Sequence, residues 1–96
     1  MKRQRPTPGF AIALTDDTEL SDAILIAEDE EGHYEPIGAV ISINEAREIA
    51  KSNMEYKMRE LERGGDPGLC PYEYKVWARG LLGVQRVAAT LLATSL

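Results

Sequence analysis

The chain has 96 residues, one cysteine, one histidine, and 11 Lys+Arg against 16 Asp+Glu. That length suits one domain and is too short for a (β/α)8 barrel or a full dinucleotide-binding fold. The cysteine and histidine counts exclude an internal disulfide framework and a zinc site built mainly from those types, and a net charge of −5 opposes general nucleic-acid binding.

Met1 to Arg5 is basic, but the apolar run after it, Phe10 to Leu14, ends at Asp16 and Asp17. A secretory signal needs about 7–15 apolar residues and a membrane span about 18–20, so neither is expected and a cytoplasmic setting is. Pro6-Thr7-Pro8-Gly9 is a stiff lead-in with two ring-locked positions. Phe10 to Leu14 alternates large and small apolar side chains and predicts a first strand. Thr15 to Asp22 reads as a polar loop, and the β-branched apolar run Ala23-Ile24-Leu25-Ile26-Ala27 as an inner strand.

Asp29-Glu30-Glu31-Gly32 fits a type I turn closed by a left-handed glycine, with His33 to Ile41 returning as a strand. Pro36 places part of that strand at a sheet edge. Ser42-Ile43-Asn44-Glu45 fits a capping box opening a helix over about residues 43–63. At 100° per residue Ile43, Ala46, Ala50, Met54, Met58 and Leu61 share a stripe, with Ile49 on its flank. Lys51, Glu55 and Arg59 form an exposed i,i+4 series. Gly64-Gly65 supplies the stop, and Pro67 prevents resumption.

Tyr72 to Arg79 returns to period two, with Tyr72, Tyr74, Val76 and Ala78 on one face and Glu73, Lys75, Trp77 and Arg79 on the other. Gly80-Leu81-Leu82-Gly83 reads as a second turn needing positive φ at Gly83, and Val84 to about Leu92 as the last strand. The pattern predicts an α+β domain of order β-β-β-α-β-β, in which a small antiparallel sheet of about five strands packs against one amphipathic helix.

Charge is concentrated. Residues 16–36 hold nine acids (Asp16, Asp17, Glu19, Asp22, Glu28, Asp29, Glu30, Glu31 and Glu35) and neither Lys nor Arg, whereas both ends of the chain are mildly basic. Such a patch can steer a basic partner. The string Ala23 to Glu30 resembles the first strand and acidic pocket of response-regulator receiver domains, where paired carboxylates hold Mg²⁺. The resemblance covers eight residues. Gly32 and Pro36 follow where a receiver needs a helix, so the residues themselves predict an acidic hairpin. Asp16 to Asp22 is carboxylate-rich but lacks the spacing and central glycine of a calcium loop, and no metal or other cofactor is expected.

His33 and Cys70 are the single cysteine–histidine combination the composition permits, and a nucleophilic role would need them to meet in space. Glu31, His33 and Glu35 fall at alternate positions and would share a strand face. Tyr72, Tyr74 and Trp77 interleave with Lys75 and Arg79, and with Arg86 form a candidate binding surface, although the tyrosines and Trp77 point to opposite faces. One helix covers one sheet face. Trp77, with Val87 and Ala89, is therefore expected on the other, covered by a terminus, by Arg86 or by a second subunit. The expected function is non-catalytic binding, with self-association, most simply as a homodimer, through the sheet. The alternatives are an acidic antagonist of a basic partner, in the manner of antitoxin-like proteins, and a small His/Cys enzyme. Nucleic acid and membranes are not expected partners.

Overall fold

The computed structural model describes residues 17–80, 83 and 85–96. The chain forms strand β1 (Ala23–Glu28), strand β2 (Tyr34–Val40), helix α1 (Ile43–Glu62), strand β3 (Glu73–Arg79) and strand β4 (Gln85–Leu92). A single 3-10 turn follows over Ala93–Ser95. The sheet is antiparallel throughout, in the order β2-β1-β3-β4. The α+β class and a β-β-α-β-β order are thus present. The additional strand predicted at Phe10–Leu14 lies outside the described residues.

Local chemistry explains the boundaries. The Ser42 hydroxyl accepts from the Glu45 N–H at 3.1 Å, and Glu45 Oε1 accepts from the Ile41 N–H at 2.8 Å. The box closes one residue earlier than in its usual form, on Ile41 rather than Ser42. At the other end Gly64, at φ 79°, donates to Leu61 O, and Gly65 donates to Glu60 O. These two bonds are a Schellman stop, which needs the left-handed residue that glycine supplies without strain. In the first hairpin Gly32 takes φ 90° and donates to Asp29 O, as the turn pattern predicts.

Side-chain alternation then sorts the sheet. Ala23, Leu25, Ala27, Tyr74, Val76 and Ala78 are buried beneath α1, and Ala46 and Ala50 let the helix approach closely. Register shifts skip Ile37 in β2 and Ala88 in β4, marking a bulge in each edge strand. The second bulge corrects one expectation. Val87 pairs with Trp77, but Ala89 pairs with Val76 and lies on the helix side. One extra residue inverts the face of everything beyond it, which alternation alone cannot reveal.

The helix stripe is also corrected in its second half. Ile43, Ala46, Ala50 and Lys57 are buried, while Met58 and Leu61 are 54% and 55% exposed. Met54 still packs against the core, but beyond it the sheet turns Asn53 and Lys57 inward rather than Met58 and Leu61. Asn53 Oδ1 accepts from the Tyr74 hydroxyl at 2.6 Å. Lys57 Nζ donates to Pro67 O at 2.7 Å and lies 3.4 Å from Glu35 Oε1. Polar residues with partners waiting beneath the helix therefore take the inward positions. Among the described residues no helix is long and apolar enough to cross a membrane.

Tyr74 makes this network testable. Burial and the nearby charge of Glu35 raise its phenol well above the usual tyrosine range. The unfolded chain releases this proton near pH 10, and the folded chain retains it. Stability therefore falls as pH rises above about 10, because there the unfolded state binds fewer protons. Tyr74→Phe is expected to cost about 1 kcal/mol at neutral pH, from the lost bond to Asn53. It should also flatten the loss of stability between about pH 9.5 and 11, as followed by urea unfolding. An unchanged alkaline slope would refute this assignment.

Candidate functional site

The acidic hairpin is built around Asp29. Its Oδ1 accepts from the Glu31 and His33 N–H groups, both at 2.9 Å, and its Oδ2 lies 3.2 Å from His33 Nδ1. Burial pushes the Asp29 carboxyl upward, but those backbone donors and the imidazole outweigh it, and the group settles below the usual carboxylate range. Glu31 Oε1 stands 3.8 Å from His33 Nδ1. Donor atoms of Asp29, Glu31 and His33 all fall within 4.8 Å of one another. The sequence pairing of His33 with Glu31 is present, but Glu35 turns to the helix side and meets Lys57. The omitted member, Asp29, sits at the same alternate spacing, so the signal was available.

Beside this turn is an open recess of about 560 Å³ lined by Asp29, Glu30, Glu31, Cys70, Pro71, Tyr72 and Thr94. Cys70 is exposed. His33 is not among the lining residues, so the recess places the thiol against carboxylates rather than against the imidazole. Tyr72 precedes β3 and is exposed, whereas Tyr74 is fully buried; they do not share a surface.

The open sheet face follows from the register. Reading across β2-β1-β3-β4, one row is Ala39, Ile24, Trp77, Val87, the next Pro36, Ile26, Lys75, Thr90, and the last Tyr34, Glu28, Glu73, Leu92. Trp77 thus stands in an apolar row. Lys75 Nζ lies 2.9 Å from Glu28 and 3.7 Å from Glu73. The hydrogen bond that Lys75 donates to Glu28 raises its pKa most, burial opposes it, and the charges of Glu28 and Glu73 add to the rise. Arg79 pairs with Asp22. Arg86 stands opposite Ala78, at the alternate face position from Trp77.

These pairings also reshape the acidic segment. Asp22, Glu28 and Glu35 are matched with Arg79, Lys75 and Lys57, each far away in sequence. Asp17, Glu19, Glu30 and Glu31 remain exposed, and Asp16 lies outside the described residues. The acidity is divided among internal neutralisation, the segment before β1 and the turn tip.

What the described residues define is a four-stranded antiparallel sheet with one helix, carrying an acidic turn and a mixed apolar and ion-paired face. Comparison with family models, curated proteins and solved structures finds no match for this chain.

Proposed function

We propose that this chain is a non-catalytic binding domain that self-associates through its sheet, most simply as a homodimer in a reducing, cytoplasmic setting. The observation carrying the reading is the apolar row Ala39, Ile24, Trp77 and Val87 on the face away from the helix, with Val87, Leu92 and Tyr34 among the exposed large side chains. Apolar surface of this kind is removed from water by association. The binding surface expected from Lys75, Arg79 and Arg86 is less suited to nucleic acid, because Lys75 and Arg79 already hold carboxylates and Tyr74 is buried. Sedimentation at tens of micromolar tests the reading. A mass well above 10.6 kDa, with Trp77 emission shifting to the blue as concentration rises, supports it. A single 10.6 kDa species throughout ends it.

The turn favours a second reading, capture of a basic partner. Three carboxylates and the Tyr72 ring border the recess, a setting suited to an arginine or lysine side chain. Retention of basic proteins at low salt and release at moderate salt, abolished by Glu30→Lys with Glu31→Lys, is the expected result. The enzymatic alternative requires an activated thiol. Iodoacetamide is expected to modify Cys70 no faster than a free peptide thiol, and a markedly faster reaction would revive that alternative.

A further inference from the structure

Among the described residues the sheet has two edges, β2 and β4, and they differ in chemistry. β2 is guarded. It carries Pro36 and the bulge at Ile37, both of which obstruct the addition of another strand. β4 also carries a bulge, at Ala88, but beyond it Ala89 to Leu96 contains neither proline nor a charged residue.

The hydrogen bonding says which groups of β4 point away from β3. The Ala93 N–H donates to Tyr72 O at 3.0 Å, so position 93 faces β3. Alternation along an antiparallel strand then turns Leu91 and Ala89 toward β3, and directs the N–H and C=O of Leu92 and Thr90 outward. We propose that the β4 edge is the dimer interface, and that it pairs antiparallel with β4 of a second copy about a two-fold axis at Thr90.

The self-complementarity of that register carries the proposal. With Thr90 opposite Thr90, the outward N–H and C=O of each copy answer those of the other. Leu92 falls opposite Ala88, and the exposed Leu92 of each copy comes beside the exposed Val87 of the other on the Trp77 face. Arg86 falls opposite Thr94, so the pairing sets no like charges against each other. The described strands of the two sheets join as one sheet of eight, and the bulge at Ala88 and the short 3-10 turn at Ala93–Ser95 bound the ladder on either side of Thr90.

This inference rests on the self-association reading and names the surface, so the test separates the two. The full chain and three variants are compared by sedimentation equilibrium, with far-UV circular dichroism as the check on folding. Thr90→Pro removes an outward donor without touching the β3 ladder, and Leu92→Lys adds a charge at the joint. Both are expected to weaken association at least tenfold. Lys51→Ala, exposed on the helix and away from both the apolar row and the β4 edge, is expected to leave it unchanged. If Thr90→Pro and Leu92→Lys stay dimeric like the unmodified chain, the edge assignment is overturned and self-association stands. If the unmodified chain is monomeric, both fall. Amide exchange at Thr90 and Leu92 then shows whether residues 10–14 of the same chain occupy the edge (slow exchange) or nothing does (fast exchange).

Discussion

Leu25→Ala is expected to lower the unfolding free energy by about 3 kcal/mol, within the ~2–5 kcal/mol seen for emptied leucine sites in cores. Leu25 is fully buried on β1, an inner strand, beside Val76 and facing the helix. The fully buried helix residues of the same core cluster are alanines, Ala46 and Ala50, which cannot extend to fill the space. For a chain of this length total stability is roughly 5–14 kcal/mol, so the loss is a large share of it. The expected fall in midpoint is ~12–24 °C, at about 4–8 °C per kcal/mol for domains this small. Ile24→Ala, one residue away on the open face, removes a side chain that is only partly buried and should cost less than half as much. Thermal unfolding of both at one protein concentration checks this. Equal losses would mean that the open face is packed as fully as the helix side.

The second large effect belongs to Lys57, a lysine only 5% exposed. Its ammonium group donates to the Pro67 carbonyl and pairs with Glu35, tying the helix, β2 and the loop after the helix together. Lys57→Ala removes the stem and strands the carbonyl, and is expected to cost about 2–3 kcal/mol. A deeply buried pair would cost more when broken, about 3–5 kcal/mol. Here the Glu35 side chain is 40% exposed, and water takes over part of its solvation. Lys57→Met keeps the packing of the stem and should recover roughly half of the loss. Lys57→Glu places a second carboxylate beside Glu35 and should be the worst of the three. Urea unfolding of the series reads the order. If methionine proves as damaging as alanine, the charge rather than the stem holds the helix end.

Much of the fold was legible because its signals are local. Ser42 and Glu45 satisfy helix donors a few residues away. Gly32, Gly64 and Gly83 take positive φ where turns or a helix stop require it. The alternation of Tyr74, Val76 and Ala78 with Lys75 and Trp77 requires only a pleat. The candidate site was less legible. His33 and Glu31 come together as their spacing suggests, but the Cys70 recess joins residues from the first hairpin, the approach to β3 and the turn after β4. Nothing in the local sequence of Cys70 marks acidic neighbours.

By itself, then, the sequence determined the elements, their order and the face that the inner strands β1 and β3 offer the helix, since these follow from backbone geometry and near neighbours. Tertiary structure alone decided that Lys57 rather than Met58 and Leu61 turned inward at the end of the helix, and the β4 bulge decided which side Ala89 took. It also decided what the charge means. The composition reads as an acidic chain with nine acids massed in residues 16–36. Folding matches three of these with Arg79, Lys75 and Lys57, and leaves Glu30 and Glu31 exposed at the turn tip. Net charge is a sum over residues, whereas a charged surface depends on which residues the sheet register brings side by side.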